Sequence, residues 1–339
     1  MIAVPLEDQS QVAEARRRAV AVAERHGFAD SDTGRAALVA TELSTNLLKH
    51  GRGGELLIGP FEEDGRSGIE LIALDKGPGM ANVAGCLEDG YSSAGTAGKG
   101  LGAVIRQSHF VDIASWPGLG TAILVRLEAG QPQPGRPDRP QAEQPRAKVG
   151  AIAVPMRGEE VCGDSWSVSW NGSDPQAGPT LLVADGLGHG PLAAEASVEA
   201  VRLFRRFQGH QVPTLLDYVH GGLRATRGAA VSIARLDKAA GKVIFAGIGN
   251  VAGVLIANGE IRRMVSMPGT AGHVARKIQS FDYPFKSGMI ILHSDGLQSS
   301  WTLERYHDIA ARHPTLIAAI LYRDLARGRD DVGVVVAKG

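Results

Sequence analysis

Leu181–Gly190 reads LLVADGLGHG: four apolar or small residues run into a carboxylate, Asp185, and then at once into glycine. Met289–Leu297, MIILHSDGL, does the same with Asp295 and Gly296. Asp and Gly both favour turns, so either pair alone reads as a turn at a strand end. Two more acids sit in similar places: Asp164 in CGDSW and Asp330 in GRDDVGVVV each border a β-rich run. Four such carboxylates, with no His or Cys ligand spacing among them, favour a hard cation such as Mg2+ or Mn2+. The glycine that follows, Gly186, leaves a backbone carbonyl available to the same ion. Asp330 is adjacent to Asp331, and either could face the metal.

Working outward, the second half alternates strand-like runs with turns: KVGAIAVP, CGDSWSVSW, PTLLVADG, VSIARLD, KVIFAGIGN, AGVLIANG, GMIILHSDG and DVGVVVAKG. Two helical runs interrupt them, GPLAAEASVEAVRLFRRFQ and TLLDYVHGGLRAT. Packed sheets with helices outside are expected. Upstream lies a segment of different composition, Ala129–Lys148, AGQPQPGRPDRPQAEQPRAK, rich in Pro, Gln and charge. It has little to bury and reads as a spacer, reaching about 50–60 Å if extended. The expected division is therefore residues 1–128, a linker over 129–148, and 149–339.

The first half opens with two amphipathic helical runs, QSQVAEARRRAVAVAERHGF and DSDTGRAALVATELSTNLLKHG, the second beginning on capping residues. The strands GELLIGPFE and GIELIALDKG follow, then a Gly-rich stretch, the helical GLGAVIRQSHF, and a hairpin of VDIASW and GTAILVRLE around PGLG. The fold class is α+β in two domains: a first α/β sandwich and a second β-sandwich flanked by helices.

In ATELSTNLLKHG, Glu42 and Asn46 are four residues apart and leave one face of a helix. A carboxylate and an amide oxygen side by side suit hydrated Mg2+, although an exposed polar helix face would carry the same pair. In ALDKGPGM, Asp75 ends an apolar strand, and Gly77 and Gly79 let the backbone pass close to a flat ligand. In GTAGKGLGAV, Gly98, Gly100 and Gly102 precede a helix, with Lys99 among them, and amides at a helix N-terminus suit phosphate. The order GxxxxGK[ST] is absent, so this is no Walker A loop.

These motifs in this order resemble the GHKL (Bergerat-type) ATP-binding fold, and within it the small serine kinases of the RsbT and RsbW anti-sigma type, over about Ser10 to Leu127. ELSTNLLKHG matches the family's N-box, DKGPGM its first glycine box, and DGYSSAGTAGKGLG its lid and second glycine box. The resemblance implies ATP as cofactor, Glu42 as general base, Asn46 as the Mg2+ holder and Asp75 as the reader of adenine. Gly77, Gly79, Gly100 and Gly102 would shape the pocket, Thr121 would lie near the adenine, and Lys99 would contact phosphate. It further implies phosphoryl transfer to a serine or threonine of a STAS-domain protein in a partner-switching stress-response network.

The second half, about Val149 to Ala337, resembles metal-dependent serine/threonine phosphatases (PPM) of the SpoIIE-type branch, with LLVADGLGHGPLAAEAS similar to RsbX-type phosphatases. By that resemblance Asp185 bridges two Mn2+ or Mg2+ ions and is central to catalysis. The Gly186 carbonyl serves one ion, Asp295 and Asp330 bind the other, and Asp164 lies near as a weaker ligand. Hydrolysis would use metal-activated water. His189 reads equally as a proton donor to the leaving oxygen or as a turn residue, and Gly247–Asn250 as a structural turn. An arginine for the substrate phosphate is not evident, with Arg157 a remote candidate.

Lys plus Arg and Asp plus Glu are both 36, so no basic footprint for nucleic acid exists. The start, MIAVPLEDQS, has no signal-like pattern, no apolar run would span a bilayer, and two isolated cysteines fit a reducing compartment. A soluble cytoplasmic protein without a membrane partner is expected. A kinase and an opposing phosphatase on one chain is the leading expectation. The alternatives are a phosphatase whose first domain only binds ATP or docks a partner, and a pure partner-binding scaffold.

Overall fold

The computed structural model describes residues 1–63, 65–83, 100–129, 148–170, 177–209 and 211–339. The chain divides into two compact units, Met1–Pro140 with Tyr306–Arg312, and Gln141–Arg305 with His313–Gly339.

The first unit is one antiparallel sheet with helices on a face. Its strands are β1 (Ile2–Leu6), β2 (Gly54–Glu63), β3 (Arg66–Leu74), β4 (Phe110–Trp116) and β5 (Gly120–Glu128), in the order β1-β2-β3-β5-β4. The helices are α1 (Ser10–Arg25), α2 (Asp30–Lys49) and α3 (Gly100–Gln107). Val12, Ala15, Ala19, Val22 and Ala23 recur at helical spacing on α1, and Val39, Leu43 and Leu47 do so on α2. They pack on alternate residues of the strands, such as Leu56, Ile58, Leu71 and Val125, because a strand presents every second side chain to one face. β1 was not expected from sequence: Val4 and Leu6 alternate into the core, and Pro5 sits at the sheet edge, where a missing N–H is tolerated. The start of α2 also differs from expectation. The N-cap is Ala29, which offers no side-chain cap, and Asp30 and Asp32 lie inside the first turn.

The second unit is a sandwich of two five-stranded sheets. With β10 (Lys242–Ile248) and β11 (Ala252–Ala257) as inner strands, one has the order β15-β10-β9-β8-β7 and the other β12-β11-β16-β17-β6. The strands that matter for the site are β6 (Lys148–Val154), β7 (Asp164–Trp170), β8 (Ala177–Gly186), β9 (Ala229–Asp237), β16 (Met289–His293) and β17 (Val332–Lys338). Leu181 and Val183 from one sheet meet Leu292 and Val335 from the other in the central core. The alternate residues Leu182 and Ala184 face outward, against α4 (Pro191–Arg206) and α5 (Val212–Gly222). A third helix, α6 (Pro314–Leu325), covers the other sheet along β6 and β17 and was not expected from sequence. It approaches so closely that a Cβ on Gly150 would lie 2.1 Å from the Thr315 amide nitrogen. Also unforeseen were β12 (Glu260–Met264), β15 (Phe281–Pro284) and the pair β13 (Gly269–Thr270) and β14 (Val274–Ala275). Among the described residues no helix is long and apolar enough to cross a membrane.

Candidate nucleotide and metal sites

In the first unit, the expected residues gather around the C-terminal half of α2. A Cβ on Gly100, the first residue of α3, would lie 3.0 Å from Glu42 Oε2 and 3.5 Å from Asn46 Oδ1. Glu42, Asn46 and the N-terminus of α3 are thus neighbours, and the lack of a side chain at Gly100 is what lets them meet. Gly102, two residues further on, is buried.

Asp75, just past the end of β3, is locked in place by its own backbone surroundings. Its Oδ1 accepts from the amides of Gly77 (2.8 Å) and Thr121 (3.1 Å), and its own amide donates to Thr121 O (3.0 Å). Thr121 is buried and its hydroxyl shares a 2.9 Å hydrogen bond with Ser115. The glycines here answer to close backbone approach. A Cβ on Gly79, at φ +70°, would sit 2.1 Å from Trp116 O, and one on Gly120, at φ +80°, 2.1 Å from Asp75 O. Asp75 Oδ1 is thus committed to backbone amides. Lys99 and Gly98 lie outside the described residues. Beside Glu42, a groove of about 240 Å3 runs between α1 and α2, bounded by Arg16, Gly34, Ala37, Leu38, Thr41 and Glu42.

In the second unit, the topology carries the acids to one end of the sandwich. β7 and β8 are antiparallel neighbours, and Asp164 at the start of one is the direct cross-strand partner of Asp185 near the end of the other. β16 and β17 are likewise antiparallel, which brings Asp295 after β16 beside Asp330 and Asp331 before β17. Ser294 ties the two sheets together at this end. Its amide donates to Gly333 O (3.0 Å), its hydroxyl accepts from the Gly333 amide (2.9 Å), and it hydrogen-bonds Asp164 across the sandwich.

The electrostatics follow from that gathering. Burial pushes Asp185 well above the usual carboxylate range, and Asp164, Asp295, Asp330 and Asp331 push it the same way. Asp164 is raised by burial and by Asp331 and Asp330, against the opposing hydrogen bond from Ser294. Asp295 and Asp331 are also raised, burial being the main cause in both. Like charges directly opposite on paired strands are destabilising, so this arrangement calls for protons or cations.

Two observations fit a divalent cation. The Oδ2 atoms of Asp164 and Asp331 are buried without a hydrogen-bond partner, and the donors are all hard oxygens. Among the described residues no three His, Cys, Asp or Glu side chains converge into a ready-made cage. Ions held partly through water, as Mg2+ prefers, suit that looser gathering. Of the adjacent pair, Asp331 is the buried one: its Oδ1 accepts from the Met156 amide (2.8 Å), while half-buried Asp330 takes the Asp331 amide (2.9 Å). Gly186 is required sterically, since a Cβ there would lie 2.0 Å from Ala193 O in the first turn of α4.

Sequence reasoning missed four contributors. Asn250 Nδ2 donates to Asp295 Oδ2 (2.6 Å), so the GIGN turn does more than reverse the chain. Ser294 was legible only as the residue before Asp295. Gly163 and Gly333 make room: a Cβ on Gly163 would crowd Asp331 Oδ2 at 2.6 Å, and one on Gly333 would meet the Asp164 side chain at 3.1 Å. His189 Nδ1 lies 2.8 Å from Glu159 Oε1, at the exposed rim of the same end.

With this geometry in view, known families account for most of the chain. Histidine kinase-like ATPase domains match residues 5–126, and the stage II sporulation protein E (SpoIIE) family matches residues 175–338. The first unit belongs to the first family, and the second unit carries the SpoIIE domain. The serine/threonine-protein kinase RsbT of Bacillus subtilis (strain 168) is 32% identical over 112 residues, 33% of this chain and 84% of RsbT. The phosphoserine phosphatase RsbX of the same organism is 26% identical over 142 residues, 41% of this chain and 69% of RsbX. A crystal structure of RsbX in complex with magnesium shares the fold, at 21% identity and TM-score 0.51 over 58% of this chain and 96% of that one. The second unit is therefore a PPM-type serine/threonine phosphatase domain, joined to a kinase-like ATPase domain of a partner-switching family.

Proposed function

We propose that this chain both adds and removes a phosphoryl group on a serine or threonine of a STAS-domain partner protein. The observation that carries the reading is the five-carboxylate gathering of Asp164, Asp185, Asp295, Asp330 and Asp331, with two buried oxygens left unpartnered.

In the first unit, Glu42 is the general base for the incoming hydroxyl, which reaches it through the groove between α1 and α2. Asn46 holds Mg2+ beside it, Asp75 and Thr121 receive the adenine, and the amides at the start of α3 face the phosphates, with Gly77, Gly79, Gly100 and Gly102 clearing space. Lys99 belongs to the same reading as a phosphate contact. Phosphoryl transfer asks for this positioning more than for covalent chemistry.

In the second unit, Asp185, Asp295, Asp330 and the Gly186 carbonyl would hold the ions, with Asp164 near as a weaker ligand. Asp331, whose Oδ2 is unpartnered, lies beside Asp330 at the same site and accepts a hydrogen bond from the Met156 amide. Two Mn2+ or Mg2+ ions bound there supply an activated water and neutralise the phosphoryl oxygens. Asn250 fixes Asp295, and Ser294 fixes Asp164, so the acids keep their spacing.

The test is to incubate the chain with ATP, Mn2+ and a STAS protein and follow the partner's intact mass. Phosphate should arrive first and leave later. Glu42→Ala should abolish arrival only, and Asp185→Asn departure only. Partner mass that never changes with the unsubstituted chain refutes the reading, and arrival that survives Glu42→Ala refutes the role of Glu42.

A further inference from the structure

A phosphomonoester dianion presents three non-bridging oxygens, more than a pair of cations that also holds the attacking water needs to engage, so cationic side chains beside the acids have oxygens left to bind. The chain leaves two arginines at such a place. Leu297 and Ala326 form an isolated bridge, and the Arg327 amide donates to Gly296 O at 2.8 Å. Arg327 is thereby held beside the residue that follows Asp295. Arg329 directly precedes Asp330, and Gly328 between them takes φ +71°, a left-handed turn that glycine adopts freely. Both arginines are exposed. Both charges act on Asp295, which places them within electrostatic reach of the acids.

We infer that Arg327 and Arg329 form a clamp for the phosphoryl group of the phosphatase substrate. The inference rests on the proposed metal site and adds the substrate-recognition element that the sequence did not reveal. Guanidinium is planar and always charged, and its forked donors match phosphate oxygens bidentately. Two of them on one glycine turn select a monoester dianion over a diester, which has one charge and fewer free oxygens. The competing role is plain charge balance for the acids. The two are separable, because charge balance acts on metal affinity whereas a clamp acts on phosphate.

The experiment uses the full chain loaded with Mn2+, p-nitrophenyl phosphate and a phosphoserine peptide as substrates, and inorganic phosphate as competitive inhibitor. The double variant R327A/R329A should raise KM for both substrates and Ki for phosphate by about tenfold to a hundredfold, in line with loss of charged hydrogen bonds. R327K/R329K should recover part of that loss. Arg262→Ala, on exposed edge strand β12, should change neither. Mn2+ affinity by calorimetry should be unchanged or tighter in R327A/R329A. A Ki for phosphate that stays at the unsubstituted value, or that rises only in step with lost Mn2+ binding, overturns the clamp. Asp185→Asn distinguishes the two levels: if it keeps Mn2+ binding and turnover, the metal site fails and takes the clamp with it. If it loses both while R327A/R329A binds phosphate normally, the clamp alone fails.

Discussion

The two units solve the problem of a binding site in opposite ways. In the first, Asp75 Oδ1 is held by two amides, and glycines let backbone and backbone touch. In the second, five acids crowd one end of a sandwich, and two of their buried oxygens have no partner. Among the described residues the first site is shaped by backbone contacts, whereas the second gathers like charges that, on the proposed reading, cations would complete. Stability and function should therefore be separable in the first unit and opposed in the second.

The largest effect that would break this contrast concerns Asp185. Asp185→Asn should lower phosphatase turnover about a thousandfold, because the several kcal/mol of charge stabilisation supplied through the metals is lost. The same change removes a buried carboxyl whose ionisation burial and its acidic neighbours oppose, so in EDTA at pH 8 the second unit should melt several degrees higher than the unsubstituted protein (about 2–4 °C per kcal/mol for a unit of this size). Activity that survives, or stability that falls in EDTA, would show that Asp185 is an ordinary structural residue.

Next comes the steric side of the comparison. Gly118 and Gly120 lie in one hairpin turn, at φ +76° and +80°. A Cβ on Gly118 meets nothing within 4 Å, while one on Gly120 runs into Asp75 O. Gly118→Ala should cost about 1 kcal/mol, the conformational penalty alone. Gly120→Ala should cost about 2–4 kcal/mol and abolish ATP binding by displacing Asp75. Equal losses in urea titrations of the two variants would count against the tight-approach account.

A third effect is pH dependence without metal. The carboxyls of Asp164 and Asp185 have folded pKa values raised above their unfolded ones. The stability tied to their protonated forms is fully present below the unfolded range, about 4, and is lost as pH rises through the raised folded values. In EDTA the second unit should accordingly melt lower at pH 8 than at pH 5. Saturating Mn2+ should remove most of that slope, since a ligand that binds only the folded form stabilises it. A melting temperature that climbs with pH in EDTA would contradict the gathered-acid picture.

These tests also mark how far the sequence could be read. The strand-then-Asp-Gly device at Asp185 and Asp295, the Glu42–Asn46 spacing and the spacer composition are local patterns, and local patterns are what a linear text records. β1 was missed because a five-residue edge strand containing Pro5 looks like an irregular start. α6 was missed because PTLIAAILYRDL is apolar nearly all round, and burial on several sides erases helical periodicity. Asn250 and Ser294 were opaque for a different reason. Their partners are 45 and 130 positions away in sequence, and no spacing rule links them before the sheets are built. Arg327 and Arg329 were legible as charges but not as neighbours of Asp295, which only the Leu297–Ala326 bridge arranges.

The smallest effect tests the separability of stability and function in the first unit. Ala29 is the exposed N-cap of α2, with φ −68° and ψ 160°, and its carbonyl already accepts from the amides of Asp32 and Thr33 at 2.9 Å each. The backbone is thus shaped for a capping side chain that alanine does not supply. Ala29→Ser should add about 1 kcal/mol by giving an oxygen to the free amides of the first turn, where Asp30 and Asp32 already favour the helix dipole. Hydrogen exchange along α2 should slow by about fivefold, the equivalent of that energy. Glu42 and Asn46 lie three turns or more further along the helix, so ATP affinity should stay unchanged. If affinity instead moved with α2 stability, the nucleotide site would be coupled to the helix start. The first unit would then resemble the second, in which no gain in stability comes without a loss at the site.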